Sequence, residues 1–372
     1  MAVTRPSTYN VLTGATLRRA QASGQSYDIR IANGRFIIKT KIGAGSFGEI
    51  YRAVDTARNN DLVAVKLELA ASPQAQLPYE SKMYRSVTGG SYCIVGIPEV
   101  HFAGIEGDYN VIVIALLGPN LEDLFNYCQR RFSMKTVCLL GEQMLYRMEH
   151  IHLRGVIHRD QKPENWAMGI GDSAQCVYLI DFGLSKKYFD SKRNAHIPFR
   201  DGKSLTGTAR YCSANAHRGY EQSRRDDLQS MAYVLTYFLN SSLPWQKITG
   251  AADPAERTVL IGEKKMATHA SDLAAGHPVE FLDFLNLCWS LEFEDTPDYK
   301  RMRSLFRNML SHMAEPRDFV FDWLLKRDLE KLAGTTTEIQ PSQPNDTTSL
   351  ASVAVRVGST CDTAAEHPQH DK

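Results

Sequence analysis

In the run VIHRDQKPENWAMGI (156–170), Asp160 and Asn165 stand five residues apart, with Lys162 between them and Pro163 stiffening the loop. A carboxylate at Asp160 can accept the proton of an incoming hydroxyl, and the amide oxygen of Asn165 suits a hard cation such as magnesium. Further on, VYLIDFGLSKK ends an apolar strand on Asp181, a second oxygen ligand for such a cation, and Gly183 lets the chain turn away. Lys162, two residues past the acceptor, can neutralise a terminal phosphate. Each fragment alone has a plainer explanation, a capped turn for His158-Arg159-Asp160 and a strand end for Asp181-Phe182-Gly183. In this order and spacing they are the parts of a phosphoryl-transfer site.

Two upstream fragments add to them. GAGSFG, with Gly43, Gly45 and Gly48, fits GxGxxG, a weak signal alone because dinucleotide-binding folds use it too. In those folds the glycines open a helix, whereas here EIYRAVD continues as a strand and turns at Asn59-Asn60 into LVAVKLE. Gly43, Ala44, Gly45, Ser46, Phe47 and Gly48 therefore form the tip of a hairpin, where backbone N–H groups can approach phosphates with no Cβ in the way. No Lys-Ser or Lys-Thr follows the last glycine, which excludes the other common phosphate loop. Lys66, in VAVKLE, has apolar neighbours and needs an anion; Glu80 on the next helix is the candidate, and a lysine so held can reach the α- and β-phosphates of a nucleotide. Read by itself, VAVK is equally an edge strand whose lysine reaches solvent.

The elements that must position these groups follow from periodicity. From Arg35 to Ala115 the pattern is that of an antiparallel sheet, interrupted by one helix around 76 to 88, where Leu77, Glu80, Met83, Tyr84 and Val87 share a face. After Gly118-Pro119 helices take over: Met134, Val137, Leu140, Met144, Leu145, Met148 and Ile151 form one apolar stripe, and DDLQSMAYVLTYFLN and VEFLDFLNLCWSL look equally helical. The expected fold class is α+β: a small antiparallel lobe with one main helix (35–115), a hinge (116–119) and a larger, mainly helical lobe (120–332), with a cleft at the junction. Residues 1–34 read as a flexible extension and 333–372 as a disordered Ser/Thr-rich tail. Arg5, Arg18, Arg19 and Arg30 against Asp28 alone also fit a transit peptide.

Bulk properties exclude some partners. Lys and Arg number 43 against 42 Asp and Glu, a net charge of +1, so no global field draws nucleic acid or an anionic membrane. The 7 cysteines are odd in number, scattered and without a CxxC pair, which fits a reducing compartment. No apolar run of about 18 residues offers a membrane span. A cytoplasmic monomer is the expectation, with the nucleus open as a second location.

With HRD, KPEN, DFG and the strand lysine in place, the chain resembles a eukaryotic-type protein kinase. The narrower similarity is to the casein kinase 1 family, carried by LLGPNLEDLF, HIPFRDGKSLTGTARY, EQSRRDDL, SLPWQ, EKKMAT, PDYKRMRSLFRN and VFDW, over residues 36 to about 327. Where most kinases carry Ala-Pro-Glu, this chain has Ser213-Ala214-Asn215, similar to that family's Ser-Ile-Asn. The resemblance implies transfer of the ATP γ-phosphate, with Mg2+, to serine or threonine of protein substrates at acidic or already phosphorylated sites. It implies an adenine slot lined by Ile42, Ile50 and Ala64, gated by Ile114 and read through backbone groups of Ala115 and Leu117. It also implies an anion pocket at Arg159, Lys186 and Lys203, with Arg210 matching another basic position. The chain departs from the family after SLPWQ, where KITGAADPAERTVLI, with Asp253 and Glu256, replaces a basic run, and at Glu164, Trp166 and Ala115. A kinase-shaped scaffold that binds partners without transfer is the alternative, and the intact Lys66, Asp160, Asn165 and Asp181 count against it.

Overall fold

The computed structural model describes residues 12–17, 29–45, 48–89 and 95–332. Six strands, β1 (Ile29–Ile31), β2 (Phe36–Gly45), β3 (Gly48–Asp55), β4 (Asp61–Leu69), β5 (Val100–Glu106) and β6 (Tyr109–Ala115), form one antiparallel sheet in the order β1-β2-β3-β4-β6-β5. Their alternation assigns the two faces. Val63, Val65 and Leu67 of β4 join Phe36, Ile38, Tyr51 and Val113 in a core on one side. Lys66 pairs with Ile50 and Ile112, and Ala64 with Ile114, so these five share the opposite face, which looks into the cleft. The β3–β4 turn takes Asn59 and Asn60 through φ of 49° and 62°, the left-handed region that asparagine tolerates.

The sheet begins earlier than the sequence reading placed it. Ile29 pairs with Ile38 and Ile31 with Phe36, and one helical turn within residues 12–17 buries Leu12 and Leu17 in the same core, where the Asp108 N–H donates to the Leu12 carbonyl at 3.2 Å. Two leucines and one Ile-Arg-Ile triplet in a Ser/Gly/Gln-rich stretch give no periodicity to read. Residues 1–11 and 18–28 of the expected extension, and the tail from 333, lie outside the described residues. Strand β5 was not anticipated either, because HFAGIE lacks a buried alternate face: its residues are half-buried or exposed throughout.

Helix α1 (Leu77–Thr88) packs on the cleft face of the sheet, and its start is closed by the buried Glu68 carboxylate, which accepts the N–H groups of Gln76 at 2.7 Å and Leu77 at 3.0 Å. Beyond the hinge come α2 (Leu121–Tyr127), α3 (Met134–Leu153), α4 (Ala214–His217), α5 (Arg224–Asn240), α6 (Pro254–Met266), α7 (Ala270–Leu273), α8 (Val279–Trp289), α9 (Tyr299–His312) and α10 (Asp322–Leu332). Apart from the half-buried Met134, the apolar stripe of α3 is buried; the helix packs against α5 and α9 and supplies the floor of the large lobe. Above it lie the short pairs β7 (Val156–Ile157) with β10 (Lys186–Lys187) and β8 (Trp166–Met168) with β9 (Val177–Leu179). The loop carrying Asp160 joins β7 to β8, and Asp181 sits just past β9, so two paired strand ends present both carboxylates to the cleft.

Among the described residues no helix is long and apolar enough to cross a membrane.

Candidate active site

The catalytic-loop backbone is held from below by one buried carboxylate. Asp227, near the start of α5, accepts the N–H groups of His158 and Arg159, each at 2.7 Å, and the His152 ring nitrogen at 2.9 Å. Burial works against ionisation there, yet the bond to His152 and these donors keep the Asp227 carboxyl below its ordinary value. Arg159 and Asp181 both adopt left-handed backbone, with φ of 69° and 65°. Strained conformations of this kind persist where surrounding contacts over-determine them.

Asp160 is oriented from both sides. Its Oδ1 accepts the Thr208 N–H at 2.9 Å and the Thr208 hydroxyl at 2.7 Å; its Oδ2 meets the Lys162 ammonium at 2.8 Å. Gly207 brings Thr208 into place with φ of 100°, and a Cβ there would lie 2.4 Å from the Arg159 carbonyl. Asn165 donates its amide N–H to the Asp160 carbonyl at 2.9 Å, and its amide oxygen accepts no hydrogen bond from the described residues. Across the cleft, Lys66 lies 2.7 Å from Glu80 and 3.7 Å from Asp181.

Charge coupling follows from this spacing. Burial alone would lower the Lys66 ammonium, but the Asp181 and Glu80 carboxylates outweigh it and raise it, so Lys66 stays charged. Burial would raise the Asp181 carboxyl, but Lys66 and Lys162 outweigh it and hold it below its ordinary value. Asp181 is therefore an anion, and with the Asn165 oxygen it offers oxygen donors only. That set fits a hard divalent cation. Among the described residues no three His, Cys, Asp or Glu side chains form a metal cage.

The glycine hairpin closes the cleft from above. Gly45 pairs with Gly48 across its tip; Ser46 and Phe47 lie outside the described residues. Gly48 is obligatory, since its φ is 147° and a Cβ would sit 2.0 Å from the Leu67 carbonyl, whereas Gly43 has ordinary space around it. Ile42 is partly exposed near this tip, and Ile50, Ala64 and Ile114 share the face below it. At the hinge the Ala115 N–H is taken by the Glu99 carbonyl at 3.0 Å, so Ala115 can offer only its carbonyl, while the Leu117 N–H donates to no group of the described residues.

A second cluster lies beneath the catalytic loop. Arg159, Lys186 and Lys203 line one cavity of about 200 Å3, with Tyr220 and the buried Glu221, which meets Lys186 at 2.7 Å and Lys203 at 3.6 Å. Arg210 is not part of it: its guanidinium lies over the Tyr211 ring, 5.7 Å from the centroid. Asp253 and Glu256 are occupied in capping α6, where Asp253 accepts the Glu256 N–H at 2.8 Å and Glu256 accepts that of Ala252. Ser213 caps α4 and bonds Asp226 at 2.6 Å, which is how the Ser-Ala-Asn sequence anchors this segment.

Sequence reasoning did not single out Thr208, Glu221, Asp227 or Glu68. Thr208, Glu221 and Asp227 fall inside motifs noted for family resemblance, but their roles depend on partners 35 to about 70 residues away. A family model with the description Protein kinase domain matches residues 36–317.

Proposed function

Because the chain belongs to the protein kinase family, whose fold implies ATP, a divalent metal and protein substrates, we propose that it is a serine/threonine kinase of the casein kinase 1 type. The observation that carries this reading is the convergence of Asp160, oriented by Thr208 and Lys162, with Lys66 paired to Glu80 beside Asp181. An Asp160 Oδ so fixed can accept the proton of a serine or threonine hydroxyl as its oxygen attacks the γ-phosphate. Lys66 orients the α- and β-phosphates, and Lys162 balances charge at the leaving and arriving oxygens. Magnesium would be held by Asn165 and Asp181, where it supplies neutralisation of charge between phosphates. The Leu117 N–H and the Ala115 carbonyl make a donor and acceptor for an adenine edge that depend little on side chain, so alanine in place of an acidic hinge residue costs nothing there.

Acidic or phosphorylated substrates are supported by the cavity under the loop, where three cationic side chains face the single carboxylate of Glu221. With Asp253 and Glu256 capping α6, the stretch after SLPWQ keeps only Lys247 and Arg257 as basic residues, so this cavity is the main anion site in the proposal. A reducing cell interior remains the companion expectation from cysteine usage, and a monomeric state is a separate part of the proposal.

The test is a radiolabel assay with magnesium and ATP on an acidic serine peptide, its upstream-phosphorylated form and a tyrosine analogue, run beside Asp181→Asn. Incorporation into both serine peptides, greater for the phosphorylated one, with background levels for tyrosine and for the variant, is the expected outcome. Equal incorporation by wild type and variant, or none by either, overturns the proposal.

A further inference from the structure

Three consecutive residues beyond the metal-binding turn are each held by a different part of the chain. The Leu184 carbonyl accepts the Arg159 Nε–H at 2.7 Å, the Ser185 carbonyl accepts the Tyr79 hydroxyl at 2.7 Å, and the Lys186 ammonium meets Glu221 at 2.7 Å. The middle contact crosses from the small lobe to the large one, over 106 residues of sequence. Tyr79 directly precedes Glu80 on α1, so the two side chains leave the helix about 100° apart. Glu80 turns inward to Lys66, while the Tyr79 ring runs along the cleft edge, 42% exposed, with its hydroxyl engaged.

The same helix touches the segment again five residues later. The Tyr84 hydroxyl accepts the Asp181 N–H at 3.2 Å, and its ring stands edge-on to Phe182 at 4.8 Å. Phe182 in turn packs on the His158 ring at 5.2 Å, and Ser185 is fully buried. Helix α1 is therefore pinned to residues 181–185 through Tyr79 and Tyr84, five residues apart, and Glu80 lies between the pins. In kinases the Lys–Glu pair must be assembled by placing this helix, a step commonly controlled by a phosphate on the activation segment. Here an uncharged phenol already spans the gap.

We infer that Tyr79 is a positioning residue: its hydroxyl latches α1 onto the backbone at Ser185 and so sets Glu80 against Lys66. The latch rests on the kinase reading of the cleft, and it is tied to the cation-lined cavity through Arg159, which holds the neighbouring carbonyl and lines that cavity. Ligand at the cavity and the register of α1 are thereby joined through two adjacent carbonyls.

Tyr79→Phe in the full chain removes the hydroxyl and keeps the ring. The expected result is a fall in kcat of about tenfold, the scale of one net hydrogen bond, with the KM for peptide within about twofold. The melting midpoint should move by no more than about 2 °C, and amide hydrogen exchange should quicken over residues 182–187 and α1. Because the effect runs through Glu80, Tyr79→Phe added to Glu80→Gln should lower kcat less than about twofold further. An unchanged kcat in the single variant, or the same proportional loss in both backgrounds, overturns the latch. The exchange comparison keeps this separate from the kinase reading: should wild type transfer no phosphate, equal exchange in wild type and Tyr79→Phe still sinks the inference, and faster exchange in the variant still supports it.

Discussion

The cleft and the cavity beneath it are built from overlapping stretches of chain yet carry opposite charge. In the cleft, Lys66 and Lys162 face three carboxylates, Glu80, Asp160 and Asp181; in the cavity, Arg159, Lys186 and Lys203 face Glu221 alone. The first arrangement has acidic surplus and calls for a cation, while the second has basic surplus and calls for an anion. Neighbours in sequence are divided between them: Arg159 goes down and Asp160 up, Asp181 up and Lys186 down. The turns that send them apart are the left-handed residues Arg159 and Asp181. The difference shows that local motifs supply the groups, and backbone geometry decides which centre each one serves.

Breaking the cleft should have the largest consequence. Lys66→Met leaves Glu80 and Asp181 without their shared counter-charge, and kcat/KM for peptide phosphorylation should fall about a hundredfold or more, measured at saturating magnesium. The same substitution also removes the support that keeps Asp181 below its ordinary value, so the variant's residual activity should decline earlier as pH falls. Identical pH profiles for variant and wild type would show that Lys66 does not tune Asp181.

Altering the cavity should act on substrate and leave chemistry alone. Lys203→Ala spares the closer Lys186–Glu221 pair, so the fold keeps its buried contact. The KM for an upstream-phosphorylated peptide should rise about three- to tenfold with kcat nearly constant, and the difference from wild type should shrink as salt is added. A kcat effect with constant KM would place Lys203 in the cleft's service instead.

The smallest effect probes the support between the two centres. The His217 Nε2 meets the Ala209 carbonyl at 3.2 Å, next to Thr208, and burial pushes this imidazole down to about 4 from its ordinary 6.5. Above pH 6.5 both folded and unfolded chains carry it neutral; between that value and about 4 only the unfolded chain takes up the proton, so stability drops as pH falls through this window. His217→Gln cannot titrate, and its melting midpoint should lose about 2–4 °C less than wild type between pH 6.5 and 4.5. Parallel melting curves for the two proteins would remove His217 as the cause.

What the amino-acid sequence discloses follows the range of the interactions. Lys66, Asp160, Asn165 and Asp181 are legible because each lies in a short motif whose spacing reflects its chemistry. The hairpin, α1 and α3 are legible because their apolar residues repeat at 2 or 3.6. Glu221 is not, since an acid that neutralises a basic cavity has no mark distinguishing it from a solvated glutamate. Tyr79 and Asp227 act on backbone groups 106 and about 70 residues away, and only the folded chain brings those together. Leu12, Leu17 and β1 were hidden by their Ser/Gly-rich surroundings, which resemble a linker in composition although the three elements complete the small-lobe core.

On the proposed function, Asp160 takes the proton while the rest of the cleft holds the nucleotide. Single-turnover transfer from ATP to a serine peptide, with nucleotide affinity measured in parallel, tests it in Asp160→Asn. ATP affinity should stay within about threefold of wild type while the transfer rate falls by about a hundredfold or more. A variant that transfers phosphate at the wild-type rate would contradict it.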